Sequence, residues 1–127
     1  MKNILRLIKR ISISLSMVIF IFCCNQSATI ESNDAMVLLN NVDYYFLDVR
    51  TIKEHETNSI PNTDCIPLQE LEQRIEELNK HRKKTVIVYC RSGNRSSTAV
   101  KILNQSGFNS FNMIDGMNGW KGETTKN

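Results

Sequence analysis

Short apolar runs alternate with longer amphipathic ones along this chain, the pattern of strands followed by helices. Tyr44 to Val49 is β-branched and aromatic with no polar break before Asp48, and Thr85-Val86-Ile87-Val88-Tyr89 is apolar throughout, so both predict buried strands. Ser110 to Ile114 predicts a shorter, last strand. Helical patterns lie between them. Asn33 offers an N-cap to an apolar cluster that stops at the Asn40-Asn41 turn. Behind Pro67, Leu68, Leu71, Ile75 and Leu78 fall on one helical face, while Glu70, Glu72, Arg74, Glu76 and Glu77 take the other. Ser97 to Leu103 reads as a helix with Ala99, Val100 and Leu103 inward and Gly107 at C′. Gly116 to Gly122 forms a closing turn anchored by Trp120. This order predicts a single α/β domain, a mainly parallel central sheet flanked by helices.

The chain has 127 residues, room for one domain. Residues 1–24 carry Lys2, Arg6, Lys9 and Arg10, then an apolar core from Ile11 to Phe22, then Cys23-Cys24. That core suits the h-region of an export signal and is too short to span a bilayer. A cysteine directly after it is similar to a lipoprotein signal, although Ile21 and Phe22 are larger than the residues usual before such a site. The expectation is therefore an exported protein, periplasmic or membrane-anchored as a lipoprotein, with polar residues 25–31 as a tether. Residues 32–122 form the domain and 123–127 a tail. The formal charge of +3 comes from the first segment, since all thirteen acidic residues lie at or after Glu31 and outnumber the bases left there. Arg82-Lys83-Lys84 then reads as a solvated turn. No nucleic-acid partner is implied, membrane contact is expected only through the N-terminal segment, and the domain is expected to be a monomer.

Chemistry concentrates where the second strand meets the following helix, at Cys90-Arg91-Ser92-Gly93-Asn94-Arg95-Ser96. The first amides of a helix have no partner in their own helix, and the macrodipole adds partial positive charge. Both favour a thiolate at Cys90, with Arg91 and Arg95 adding flanking charge. Gly93 and Asn94 are residue types that accept positive φ, so the segment can curl its N–H groups around an anion. Cys90 is the candidate nucleophile, and Arg91, Ser92, Gly93, Asn94, Arg95 and Ser96 are the candidate substrate-binding residues.

This loop resembles the active-site loop of rhodanese-like sulfurtransferases, and four further segments match in order. Phe46-Leu47-Asp48-Val49-Arg50-Thr51 with Glu54 resembles the family's Asp-x-Arg signature. Ser59-Ile60-Pro61-Asn62-Thr63-Asp64-Cys65-Ile66-Pro67-Leu68 is similar to its His-Ile-Pro-Gly-Ala segment. Gly107-Phe108 and Asp115-Gly116-Met117-Asn118-Gly119-Trp120 resemble its closing elements. The resemblance runs from about Ser32 to Lys121; Asn58-Ser59 and Asn62 depart from the usual Gly-His and Gly, and Met117 from a second glycine. It implies transfer of sulfane sulfur from a donor such as thiosulfate through a Cys90 persulfide to cyanide or a thiol. A protein sulfur acceptor or reductant is a further implied partner. Asp48, Arg50 and Glu54 are expected to be structural support, one local network pinning the loop.

Other readings carry less. A binding or carrier module that loads a persulfide with little turnover is the alternative from a different class. Cysteine-dependent phosphatases and arsenate reductases place five residues between cysteine and arginine. Here four separate Cys90 from Arg95, a tighter ring that suits a terminal sulfur better than a phosphate. His55 and His81 lack zinc-ligand spacing and are expected at the surface, so no metal is implied. Cys65 is expected as a small buried residue rather than a disulfide partner of Cys90. No dinucleotide or phosphate-loop signature is present, and no organic cofactor is implied.

Overall fold

A computed structural model describes residues 27–126. Residues 1–24, expected to be an export signal, and the start of the expected tether lie outside the described residues. Five parallel strands form one sheet: β1 (Thr29–Ile30), β2 (Tyr44–Asp48), β3 (Asp64–Cys65), β4 (Thr85–Tyr89) and β5 (Asn109–Met113), in the order β1-β5-β4-β2-β3. The helices are α1 (Ser32–Met36), α2 (Ile52–Thr57), α3 (Leu71–Arg74), α4 (Asn94–Gln105) and α5 (Gly116–Gly119). Among the described residues, no helix is long and apolar enough to cross a membrane.

The two strands read most clearly in the sequence, β2 and β4, lie side by side at the middle of the sheet. Alternation along them feeds two cores. Leu47, Val86, Val88 and Cys90 pack on one face against Leu71, Leu78, Ala99, Val100 and Leu103. Phe46, Ile87 and Tyr89 pack on the other against Ala35, Ile60, Met113 and Trp120. A parallel sheet covered on both faces needs such doubly apolar strands.

Several expectations change. The tether contributes β1: Thr29 and Ile30 pair with Asn112 and Met113, giving β5 a partner on its outer side. This pairing is carried by backbone groups, which leave no side-chain pattern in so short a strand. The tail is also docked, with Ser59 and Thr125 exchanging backbone hydrogen bonds of 2.9 Å each way. The helix expected after Pro67 is three pieces: a 3₁₀ turn (Leu68–Glu70), α3, and a second 3₁₀ segment (Ile75–His81). Its spacing of three residues fits a 3₁₀ turn as well as an α-helix. Leu71 and Leu78 still point inward, and Arg74 bridges Glu70 and Glu77 on the solvent side. Neither histidine is a free surface side chain. His81 stacks on Tyr45 with ring centres 3.6 Å apart, and His55 joins a buried ion network described below.

The N-cap of α1 is Glu31 rather than Asn33, and it makes no side-chain cap. Ser32 instead reaches across the fold. Its N–H and hydroxyl both lie within 3.0 Å of Asp115 Oδ1, and the hydroxyl is 2.9 Å from the Gly116 carbonyl. Those contacts tie the start of the domain to the turn that supports the cysteine loop. Ser32→Ala leaves acceptors in a buried place short of a donor, and should cost about 1 to 3 kcal/mol in urea unfolding. A loss below about 0.5 kcal/mol, the level of an ordinary surface change, would contradict this tie.

Candidate active site

β4 ends at Tyr89, and Cys90 is the next residue, placed where parallel sheets gather functional groups. The chain then turns sharply through Gly93, whose φ of +93° makes it the N-cap of α4. A Cβ on Gly93 would lie 2.0 Å from the Ile114 carbonyl oxygen, so only glycine permits this approach. Gly116 closes the other side, where a Cβ would meet the Cys90 and Arg91 carbonyl oxygens at 2.4 and 2.7 Å. Those carbonyls accept hydrogen bonds from Met117 and Asn118 at 2.9 and 3.0 Å. Asn94 is the first residue of the helix rather than a positive-φ residue. Among the described residues, Asn62 is the non-glycine that takes positive φ, at +59°, where the resemblance has glycine.

The sulfur sits inside this turn. Gly93 N–H donates to Cys90 Sγ at 3.1 Å, and Ser96 Oγ lies 3.3 Å from it. Burial opposes ionisation of Cys90, yet the Ser96 hydroxyl and the amides of Ser96, Ser92 and Gly93 outweigh it and hold the thiol below its usual value. The amide cradle is therefore present. Its charge is supplied by backbone dipoles and a hydroxyl more than by the arginines. Cys90 is 1% exposed, so its sulfur faces the loop's own donors rather than open solvent.

The arginines are disposed differently from one another. Arg95 is clamped by Glu54, with Nη1 and Nη2 donating to the two carboxylate oxygens at 2.8 and 2.9 Å. Arg91 is exposed, as are Ser92 and Asn94. Glu54 is also N3 of α2 and completes a capping box with Thr51. Arg95, together with the Thr51 backbone and hydroxyl and against some burial, holds the Glu54 carboxyl down to about 2. Glu54 thus belongs to the cysteine loop and not to the Asp48–Arg50 pair with which it was grouped.

Asp48 and Arg50 form a separate network one strand away. Arg50 Nε donates to both Asp48 oxygens at 3.0 Å, and Nη2 donates to Oδ2 at 2.7 Å and to the Asn58 carbonyl at 2.6 Å. His55 Nδ1 is 2.9 Å from the same Oδ2, and its side chain is 13% exposed. His55 had no sequence signal beyond its place four residues past Thr51. Cys65 is a free, half-buried thiol whose Sγ contacts the Arg50 carbonyl at 3.5 Å; burial pushes it up to about 12. One donor atom each from Asp48, His55 and Cys65 lies within 4.8 Å of the others. A cation there would have to displace Arg50 from both Asp48 oxygens and enter beside a neutral thiol. The donor set fits a buried ion pair better than a metal centre.

Asn112, on β5, is a site residue that the sequence reading passed over. It is 6% exposed, accepts from Ser96 Oγ at 2.6 Å through Oδ1, and donates to the Gly93 carbonyl at 3.2 Å through Nδ2. The available signal was a polar residue at every second position of the last strand, Ser110 and Asn112, where a buried strand would carry apolar side chains.

Comparison with known proteins agrees with this geometry. The family model described as the rhodanese-like domain matches residues 20–123. The Bacillus subtilis (strain 168) protein named "Putative sulfur carrier protein YrkF" is 40% identical over 79 residues, 61% of this chain. This chain spans 42% of that relative's length. From the same organism, "Putative sulfurtransferase YtwF" is 35% identical over 82 residues, covering 65% of this chain and 78% of the relative. The crystal structure of a rhodanese-related protein from Thermoplasma volcanium superposes with a TM-score of 0.72 at 31% identity, covering 79% of this chain and 99% of that one. With the family model spanning both the sheet and the cysteine loop, this chain belongs to the rhodanese-like domain family.

Proposed function

We propose that this domain is a sulfur carrier that holds sulfane sulfur as a Cys90 persulfide and passes it to a thiol acceptor. The observation that carries this reading is the convergence of the Gly93 amide and the Ser96 hydroxyl on a sulfur that is 1% exposed. In the loading step, the Cys90 thiolate attacks the outer sulfur of a donor such as thiosulfate. A new S–S bond forms, the donor's S–S bond breaks, and sulfite leaves with the electron pair. The amides then stabilise the terminal sulfur anion. In unloading, an acceptor thiolate attacks that outer sulfur and Cys90 departs as a thiolate.

Rapid thiosulfate turnover is the second reading, and two features favour the carrier over it. A dianionic donor is drawn in by cationic charge at the mouth of the loop; the charge of Arg95 is committed to Glu54, which leaves the exposed Arg91 to guide loading and slows repeated turnover. The sheltered sulfur also suits storage better than fast exchange. The similarity to YrkF, named as a carrier, points the same way. If residues 1–24 export the chain, this reservoir stands outside the cytosol, where an exposed persulfide would oxidise.

Incubation with thiosulfate should add one sulfur atom to the intact mass, mapped to the Cys90 peptide and absent in Cys90→Ala. No gain, or an equal gain in the variant, would overturn persulfide chemistry altogether. With thiosulfate and cyanide together, a carrier that awaits its thiol acceptor releases about one sulfite per chain and then slows, whereas sustained thiocyanate formation supports the enzyme. Glu54→Gln should release Arg95 and raise the rate of thiosulfate loading by about threefold to tenfold, with the gain shrinking at high salt. Acidification should not open the clamp above about pH 4, because Glu54 stays ionised until about 2. An unchanged or slower loading rate in Glu54→Gln would show that the Arg95 clamp does not limit donor entry.

A further inference from the structure

Ser96 has one hydroxyl proton and two neighbours that can use it. Its oxygen lies 2.6 Å from Asn112 Oδ1 and 3.3 Å from Cys90 Sγ. The orientation of the Asn112 amide is set by its second contact. Nδ2 donates to the Gly93 carbonyl at 3.2 Å, and the reversed amide would place two oxygens against each other there. Oδ1 therefore faces Ser96 and can only accept. While Cys90 is a thiol, all contacts are satisfied by a chain in which Sγ–H donates to Ser96 Oγ and the Ser96 hydroxyl donates to Asn112. Once Cys90 ionises, that chain fails. The sulfur anion then faces oxygen lone pairs unless the Ser96 proton turns toward it, and in turning it leaves Oδ1, on a residue 6% exposed, without its donor.

We propose that Asn112 is a positioning residue for Cys90, holding the Ser96 hydroxyl proton while Cys90 is a thiol and yielding it to the sulfur anion. Asn112 thus competes with the sulfur for the one side-chain donor in the cradle and tempers the nucleophile that the backbone amides create. The charged groups on the neighbouring elements do not replace that donor. Arg95 on α4 is held by Glu54 of α2, Asp48 at the end of β2 is held by Arg50 and His55, and Asp115 before α5 is engaged by Ser32. Arg91 is exposed. This inference deepens the Cys90 persulfide reading, but its test requires no sulfur donor.

The test is the rate of Cys90 alkylation by iodoacetamide against pH, read on the Cys90 peptide of the full chain. Asn112→Ala should lower the midpoint by about one pH unit, because Ser96 then donates to sulfur without competition. Ser96→Ala should raise it, and adding Asn112→Ala to Ser96→Ala should bring no further fall. An unchanged or raised midpoint in Asn112→Ala, or an equal fall with Ser96 absent, would overturn the proposal. A loosened loop would raise the midpoint in both backgrounds, so it is distinguishable. The unsubstituted protein gives a second readout: the side-chain carbonyl carbon shift of Asn112 should titrate with the Cys90 midpoint, and a constant shift would refute the exchange. Absence of sulfur loading with this exchange intact would remove the carrier reading alone.

Discussion

The constraint on which this structure depends is the placement of a sulfur in a turn with no room for a side chain at Gly93, nor at Gly116 of the turn packed against it. β4 delivers Cys90 to the end of the sheet, and α4 begins four residues later at Asn94. Between them the chain must reverse while its amides stay directed inward. Gly93 permits the reversal against Ile114, and Gly116 lets the following turn lie against the Cys90 and Arg91 carbonyls. The inward amides cannot be satisfied by the helix they precede, so they are available to an anion. Burial of the sulfur works against ionisation and strengthens each of those hydrogen bonds at once.

Charge is arranged around this turn so that it supports without intruding. Glu54 caps α2 and clamps Arg95, linking one helix terminus to the loop on the next. Asp48, Arg50 and His55 fix the segment beyond β2 and leave Cys90 untouched. The result is a sulfur tuned by the Ser96 hydroxyl and backbone dipoles together, with arginine charge held at the margin. Under the carrier reading, this arrangement stabilises a sulfur sheltered among amides and limits how fast a small anion such as thiosulfate reaches it.

Much of this was legible in the chain. The strands β2 and β4 are central, and continuous apolar character is what burial on both faces demands; Thr85–Tyr89 has the bounds the sequence implied. The cysteine turn was legible because glycine and a strand-to-helix change have few alternative meanings. Other features left no such mark. Thr29–Ile30 is a strand by pairing alone, since two residues carry no periodicity. The 3₁₀ segments share the spacing of an α-helix over a short stretch. Glu54 was grouped with the wrong partner because nearness in sequence suggested Asp48, whereas its cation lies 41 residues away. Asn112 and His55 act through long-range contacts that only the fold brings together.

The Ser96 hydroxyl and the loop amides lower the titration of a buried sulfur, and alkylation of Cys90 against pH in the unsubstituted full chain reads that effect without any sulfur donor. Cys65 is pushed up to about 12 and stays neutral across the useful range, so peptide-resolved alkylation can follow Cys90 without interference from it. The Cys90 midpoint should fall clearly below the ordinary thiol value of about 8.5. A midpoint at or above that value would show that burial outweighs the amides and the Ser96 hydroxyl, and that the turn does not activate its sulfur.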